Sequence, residues 1–157
     1  MRLLVLANET CASLAVIDAV RRKVSGADRA AQVVVVAPAL SQSRVSYWFS
    51  SDVRAARTEA AERLEQSLDA LSAAGISASG DLGDADPLQA LDDAIRIHAP
   101  TDVLIATHTP ERSQWLERRL VERARLTTDL PIEHVVVDLN YERAHNAFSP
   151  AHAEALN

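Results

Sequence analysis

Apolar residues along this chain alternate between short continuous runs and longer stretches of helical period. Leu3–Ala7, Gln32–Ala37 and Val103–Thr107 are nearly unbroken apolar runs, as expected of strands buried on both faces. A helix follows the first run over about residues 11–24, with Leu14, Ile17, Val20 and Val24 on one stripe and Ser25-Gly26 ending it. A longer helix over 53–74 turns Ala60, Leu64, Leu68 and Leu71 inward and stops at Gly75. Ile76–Leu82 alternates weakly and reads as an edge strand. Asp86 then caps a helix whose first residue is Pro87, with Gln89 at capping-box spacing and Leu88, Leu91, Ile95 and His98 along one face. Pro100 closes it. A last helix over about 113–126 carries Trp115, Leu116, Leu120 and Ala124, and a last strand, Glu133–Leu139, follows Pro131. The longest irregular stretch, 38–52, holds Tyr47-Trp48-Phe49 and reads as a loop anchored by an aromatic cluster.

Strand, helix and strand joined by short turns form a βαβ unit, so the strands should run parallel with right-handed crossovers. The pattern predicts a single three-layer α/β/α domain over 1–139 and a polar tail over 140–157, with Tyr141 and Phe148 as its large anchors. In an open parallel sheet, ligands sit beyond the carboxyl ends of the strands. That directs attention to the end of Val103–Thr107, which opens into His108-Thr109-Pro110-Glu111-Arg112-Ser113.

Composition narrows the function classes. At 157 residues the chain can bury a substantial core, and its formal charge of −6 offers no footprint for nucleic acid or an anionic membrane. No apolar run approaches the roughly 18 residues of a membrane span. Met1-Arg2 leads straight into a strand. These features predict a cytoplasmic protein with neither nucleic acid nor membrane as partner. Cys11 is the sole cysteine, which excludes an internal disulfide. It opens the first predicted helix, where a thiolate would be stabilised, but a small packing residue is the plainer reading.

Three local stretches carry a family resemblance. They are Leu71-Ser72-Ala73-Ala74-Gly75 before a strand, Gly83-Asp84-Ala85-Asp86-Pro87 before the third helix, and Ala99-Pro100-Thr101-Asp102-Val103-Leu104-Ile105-Ala106 at the fourth strand. With the element order over 1–139, they resemble the universal stress protein family. The resemblance implies a five-stranded parallel sheet of order 3-2-1-4-5, of the adenine-nucleotide alpha-hydrolase-like kind, and a homodimer. It also brings ATP or another adenine nucleotide into view, because members grip phosphates with a Gly-x-x-Gly loop after the fourth strand and a later Gly-Ser or Gly-Thr. The corresponding residues here, 107–121, contain no glycine, and Pro110 removes an amide donor. The family's first-strand aspartate is replaced by Ala7-Asn8-Glu9-Thr10. These departures argue against the usual ATP grip.

A ligand could still be held by side chains where the family uses backbone. Thr107, His108, Thr109, Arg112 and Ser113 would line one wall, with Asn8 and Thr10 on the other, and Arg112 offers a fork suited to phosphate or carboxylate. Ordinary helix-start chemistry also accounts for Thr109-Pro110-Glu111. Arg118, Arg119, Arg123 and Arg125 interleave with Glu111, Glu117 and Glu122, the mark of a solvated helix face. His98 and His134 adjoin element ends and read as packing or surface residues, while His145 and His152 are too isolated for a metal site. No Ser-His-Asp order, P-loop or metal cluster marks an enzyme. The sequence therefore leaves two hypotheses: a non-enzymatic regulatory or stress-response protein with a degenerate nucleotide pocket, or a nucleotide- or phosphometabolite-binding protein that uses side chains in place of glycines. The exposed-edge character of His134-Val135-Val136-Val137-Asp138-Leu139, without proline or lysine, predicts dimerisation through the last strand, unless the tail covers it.

Overall fold

The computed structural model describes residues 1–7, 10–27, 30–39, 50–109, 115–138 and 140–142, with backbone alone for 50–53 and 115–118. In chain order the elements are β1 (Arg2–Leu6), α1 (Leu14–Ser25), β2 (Gln32–Pro38), α2 (Ser50–Ala73), β3 (Ala78–Gly83), α3 (Pro87–His98), β4 (Asp102–His108), α4 (Trp115–Thr127) and β5 (Ile132–Val137). All pairings are parallel and the strand order is β3-β2-β1-β4-β5. This is the order that the resemblance implied.

The centre of the sheet explains the unbroken apolar runs. β1 pairs with β2 along one edge and with β4 along the other, and helices cover both its faces. Leu3 and Val5 pack with α1 and α2, in one core cluster that also holds Val16, Val20, Leu64 and Leu71. Leu4 and Leu6 pack on the opposite face with Leu88 and Leu91 of α3 and Leu120 and Ala124 of α4. The strand order reverses between β1 and β4, which opens the mouth of the sheet at their carboxyl ends. Lys23 near the end of α1 ties the far end of the sheet together, reaching Asp102 at 3.5 Å and Glu133 at 3.4 Å.

Local chemistry sets most of the element ends. Gly75 adopts φ 78 after α2, a left-handed stop that suits glycine. At α3, Asp86 caps as expected by accepting from the Leu88 amide at 2.9 Å. The capping box does not form, however. The Asp86 amide donates to Asp84 at 2.8 Å, and Gln89 turns outward to Asp93. Two neighbouring acidic side chains satisfy the turn without it. Gly83 is required for a different reason, close approach: a Cβ there would lie 2.6 Å from the Ala90 Cβ and 3.0 Å from Val36 Cγ1.

The start of α1 differs from the sequence expectation. Residues 10–12 form a turn and Ser13 is the cap, accepting from the Val16 amide at 3.2 Å. Leu14, expected on the inward stripe, is therefore 51% exposed, and the buried stripe consists of Val16, Ile17, Ala19 and Val20. The edge strands shift slightly too, β3 to Ala78–Gly83 and β5 ending at Val137.

Candidate functional site

The mouth between β1 and β4 is built by the turn after β1 and the last residues of β4. Thr10 is 1% exposed and its hydroxyl reaches across the switch point to the Ala106 carbonyl at 3.4 Å, a long and weak bond. Cys11 beside it is fully buried. Burial pushes its thiol up to about 11, against a smaller downward pull from a hydrogen bond with Ser67 of α2. It is a core residue, not a helix-activated thiolate.

Thr107 is 5% exposed and turns to the α4 side of the sheet. Its hydroxyl lies 2.8 Å from His134 Nε2 on β5 and 3.2 Å from the His108 carbonyl. His134 as a residue is exposed, but this contact is part-buried. Burial of the ring, helped by the positive Arg125 on α4, holds His134 below the usual imidazole value. His108 and Thr109, both half-buried, follow at the end of β4. Thr10 and Thr107 thus come to the same end of the sheet, each bonded within the chain. Asn8, Arg112 and Ser113 lie outside the described residues, as do the Tyr47-Trp48-Phe49 loop and Phe148.

The N-terminus of α1 also opens at this mouth. A helix leaves its first amides unpaired, and together with its dipole they form a ready anion site. Here the chain fills it. Glu142, beyond β5, accepts from the Leu14 amide at 3.1 Å and from the Ala15 amide at 3.2 Å. Ser13 takes the Val16 amide with its hydroxyl and the Ile17 amide with its carbonyl. Every amide of the first turn is thereby satisfied. Neither Glu142 nor His134 stood out in the sequence, because each acts through a residue far from it in the chain.

Elsewhere, a hollow of about 190 Å³ opens at the amino ends of β1 and β2, lined by Arg2, Gln32, Val34, Ile97 and His98 among others. His98, read from sequence as incidental, holds Asp81 of β3 at 2.7 Å. This hollow lies at the opposite end of the strands from the switch-point mouth. Among the described residues no three His, Cys, Asp or Glu side chains converge on a metal position. No helix among them is long and apolar enough to cross a membrane.

Similarity to solved structures agrees with this architecture. A universal stress protein family member from Burkholderia pseudomallei superposes with a TM-score of 0.61 at 17% identity, covering 87% of this chain and 94% of its own. The fold is that of the universal stress proteins. An AMP-bound family protein from Arabidopsis thaliana gives a TM-score of 0.52 at 11% identity, covering 90% of this chain and 94% of its own. A universal stress protein in complex with cAMP gives 0.54 at 16% identity, covering 86% and 96%. No protein-family model matches the sequence, and no curated protein matches it.

Proposed function

We propose that this chain is a non-enzymatic regulatory or stress-response protein of universal-stress-protein fold whose nucleotide pocket is degenerate and does not take ATP in the family's usual way. The observation behind this reading is that the α1 amides and the Thr10 and Thr107 hydroxyls at the mouth are bonded within the chain. Glu142 and Ser13 hold the α1 amides, the Thr10 hydroxyl reaches Ala106, and that of Thr107 reaches His134. A ligand would have to displace a carboxylate from the α1 terminus to bind there. The glycine-free stretch 107–121 supports the same reading, since side chains restrict the close approach of backbone amides to phosphates.

A second reading, binding of an adenine nucleotide through side chains, draws support from the AMP and cAMP complexes among the structural neighbours. Thermal unfolding with ATP, AMP and cAMP separates the two. A ligand at 100 times its Kd adds about 2.7 kcal/mol of stability. No shift with any of the three is the outcome of the degenerate pocket, and a saturable shift is that of the side-chain pocket.

The same proposal includes a homodimer through β5. This strand pairs with β4 on one side only among the described residues, and Val136 is 46% exposed. An apolar parallel edge of this kind invites pairing with a second copy across a two-fold axis. Light scattering should give twice the chain mass, and a monomer at high micromolar concentration would refute it.

A further inference from the structure

The last turn of α3 stands off the sheet and leaves room beneath it. α3 joins two parallel strands and so runs antiparallel to them, which brings its end over the amino ends of the strands. Two ties hold it there. On one side Thr101, just past the helix, gives its amide to the Arg2 carbonyl at 2.8 Å, and its hydroxyl accepts from the Arg2 amide at 3.1 Å. On the other side His98 Nε2 lies 2.7 Å from Asp81 of β3. Between these ties, over β1 and β2, opens the hollow of about 190 Å³. A cavity of about 150 Å³ suffices for benzene in a protein core. The hollow therefore has room for a ring of that size and a polar substituent.

Strand parity decides what lines it. Arg2 pairs with Gln32 and Leu4 with Val34, and alternate residues of a strand share a face. Leu4 and Val34 pack in the core on the α3 and α4 side. Arg2 and Gln32 therefore sit next to each other on that same face, one step outward from the core. Both are exposed, and among the described residues neither the Arg2 guanidinium nor the Gln32 carboxamide has a hydrogen-bond or ion-pair partner. The rest of the lining is largely apolar. Ile97, on the last turn of α3, is 73% exposed, and Val34 and Pro100 border the same space. A few polar groups beside an uncovered apolar wall suit a small amphipathic ligand.

We infer that this hollow binds a small organic monocarboxylate with an aromatic or branched aliphatic body. The carboxylate takes two parallel N–H···O bonds from Arg2, whose planar fork matches it, and a further one from the Gln32 carboxamide. The body rests on Val34 and Ile97. Charge selects carboxylate over phosphate. The negative end of the α3 dipole and the Asp81 carboxylate both stand at this end of the molecule, so a doubly charged group meets more repulsion than a singly charged one. A chain of net charge −6 has little general affinity for anions, so saturable binding requires a specific cation. The site lies at the opposite end of the strands from the switch-point mouth and rests on nothing proposed for that mouth.

The test is an NMR titration of the full chain, followed at its backbone amides, with benzoate and in parallel with benzyl alcohol and phenylphosphonate. Ionic strength is held constant, at a pH where phenylphosphonate carries two charges. Benzoate should shift the amides of Leu4, Gln32, Val34 and Ile97 saturably at low millimolar concentration and leave those of Thr10 and Thr107 in place. Arg2→Met keeps the apolar stem but not the fork, and should weaken the apparent Kd by about ten-fold or more. Ile97→Ser removes the apolar wall and should weaken it by about three-fold or more. Both residues are exposed, so both variants should fold. Benzyl alcohol, which lacks the charge, and phenylphosphonate, which doubles it, should each bind about ten-fold more weakly than benzoate. No saturable shift with benzoate, shifts confined to the mouth, or an Arg2→Met variant that binds as the wild type does overturns the site. Phenylphosphonate or benzyl alcohol binding as tightly as benzoate overturns its assignment to a monocarboxylate. If Arg2→Met fails to fold, Ile97→Ser and the benzyl alcohol comparison decide.

Discussion

Replacing Glu142 with alanine should loosen the start of α1 by an amount that the structure allows to be worked out. Its carboxylate accepts from the Leu14 and Ala15 amides at 3.1 and 3.2 Å. A single capping side chain contributes about 1 kcal/mol. A negative charge against the helix dipole adds about 0.3–1 kcal/mol at low salt. Both amides are near solvent, and water takes over part of the lost bonding, so the net cost is about 1–1.5 kcal/mol. For a chain of this size each kcal/mol moves the melting temperature by about 2–4 °C. Glu142→Gln keeps one neutral acceptor and should lose about half as much. The assay is thermal or urea unfolding at low and high salt. Salt should shrink the Glu142→Ala loss, because it screens the charge–dipole part. A melting temperature unchanged by Glu142→Ala at low salt would refute the docking of residue 142 onto α1. The result also bears on the tail, since any truncation after residue 139 removes this cap along with the rest.

Two further substitutions probe other parts of the account. Gly83→Ala drives a methyl to 2.6 Å from the Ala90 Cβ and should cost about 1–3 kcal/mol in urea unfolding, and wild-type stability would show that α3 does not lie so close to β3. His134 is held below its ordinary value, so as pH falls below about 6.5 the unfolded chain takes up its proton first. Its contribution is therefore present above that pH and is lost through the window just below it. His134→Gln should flatten the acid side of the stability profile there, and parallel profiles for the two proteins would count against the ring's burial beside Thr107 and Arg125.

The parts of this fold that were legible in the sequence are those decided by local burial or local turn chemistry. β1 and β4 are covered on both faces, so Leu3–Leu6 and Val103–Ile105 had to be apolar without alternation. Gly75, Asp86 and Pro87 act within a few residues of their own positions. The start of α1 was harder to place, because Asn8, Thr10 and Ser13 are all capping types and only tertiary contact selects Ser13. With the helix beginning at Leu14, that leucine becomes an exposed first-turn residue and not part of the core stripe. Glu142 meets Ala15 across 127 residues of sequence, a pairing no periodicity encodes. His134 passed as incidental for the same reason, since Thr107 lies on a different strand.

The most direct test of the central claim is titration calorimetry of the full chain with Mg-ATP. With the α1 amides held by Glu142 and Ser13, and no glycine in 107–121 to admit the phosphates, the account predicts no saturable heat at micromolar protein. A sub-micromolar Kd with one ATP per chain would contradict it, and would mean that side chains have taken over the work of the glycine loop.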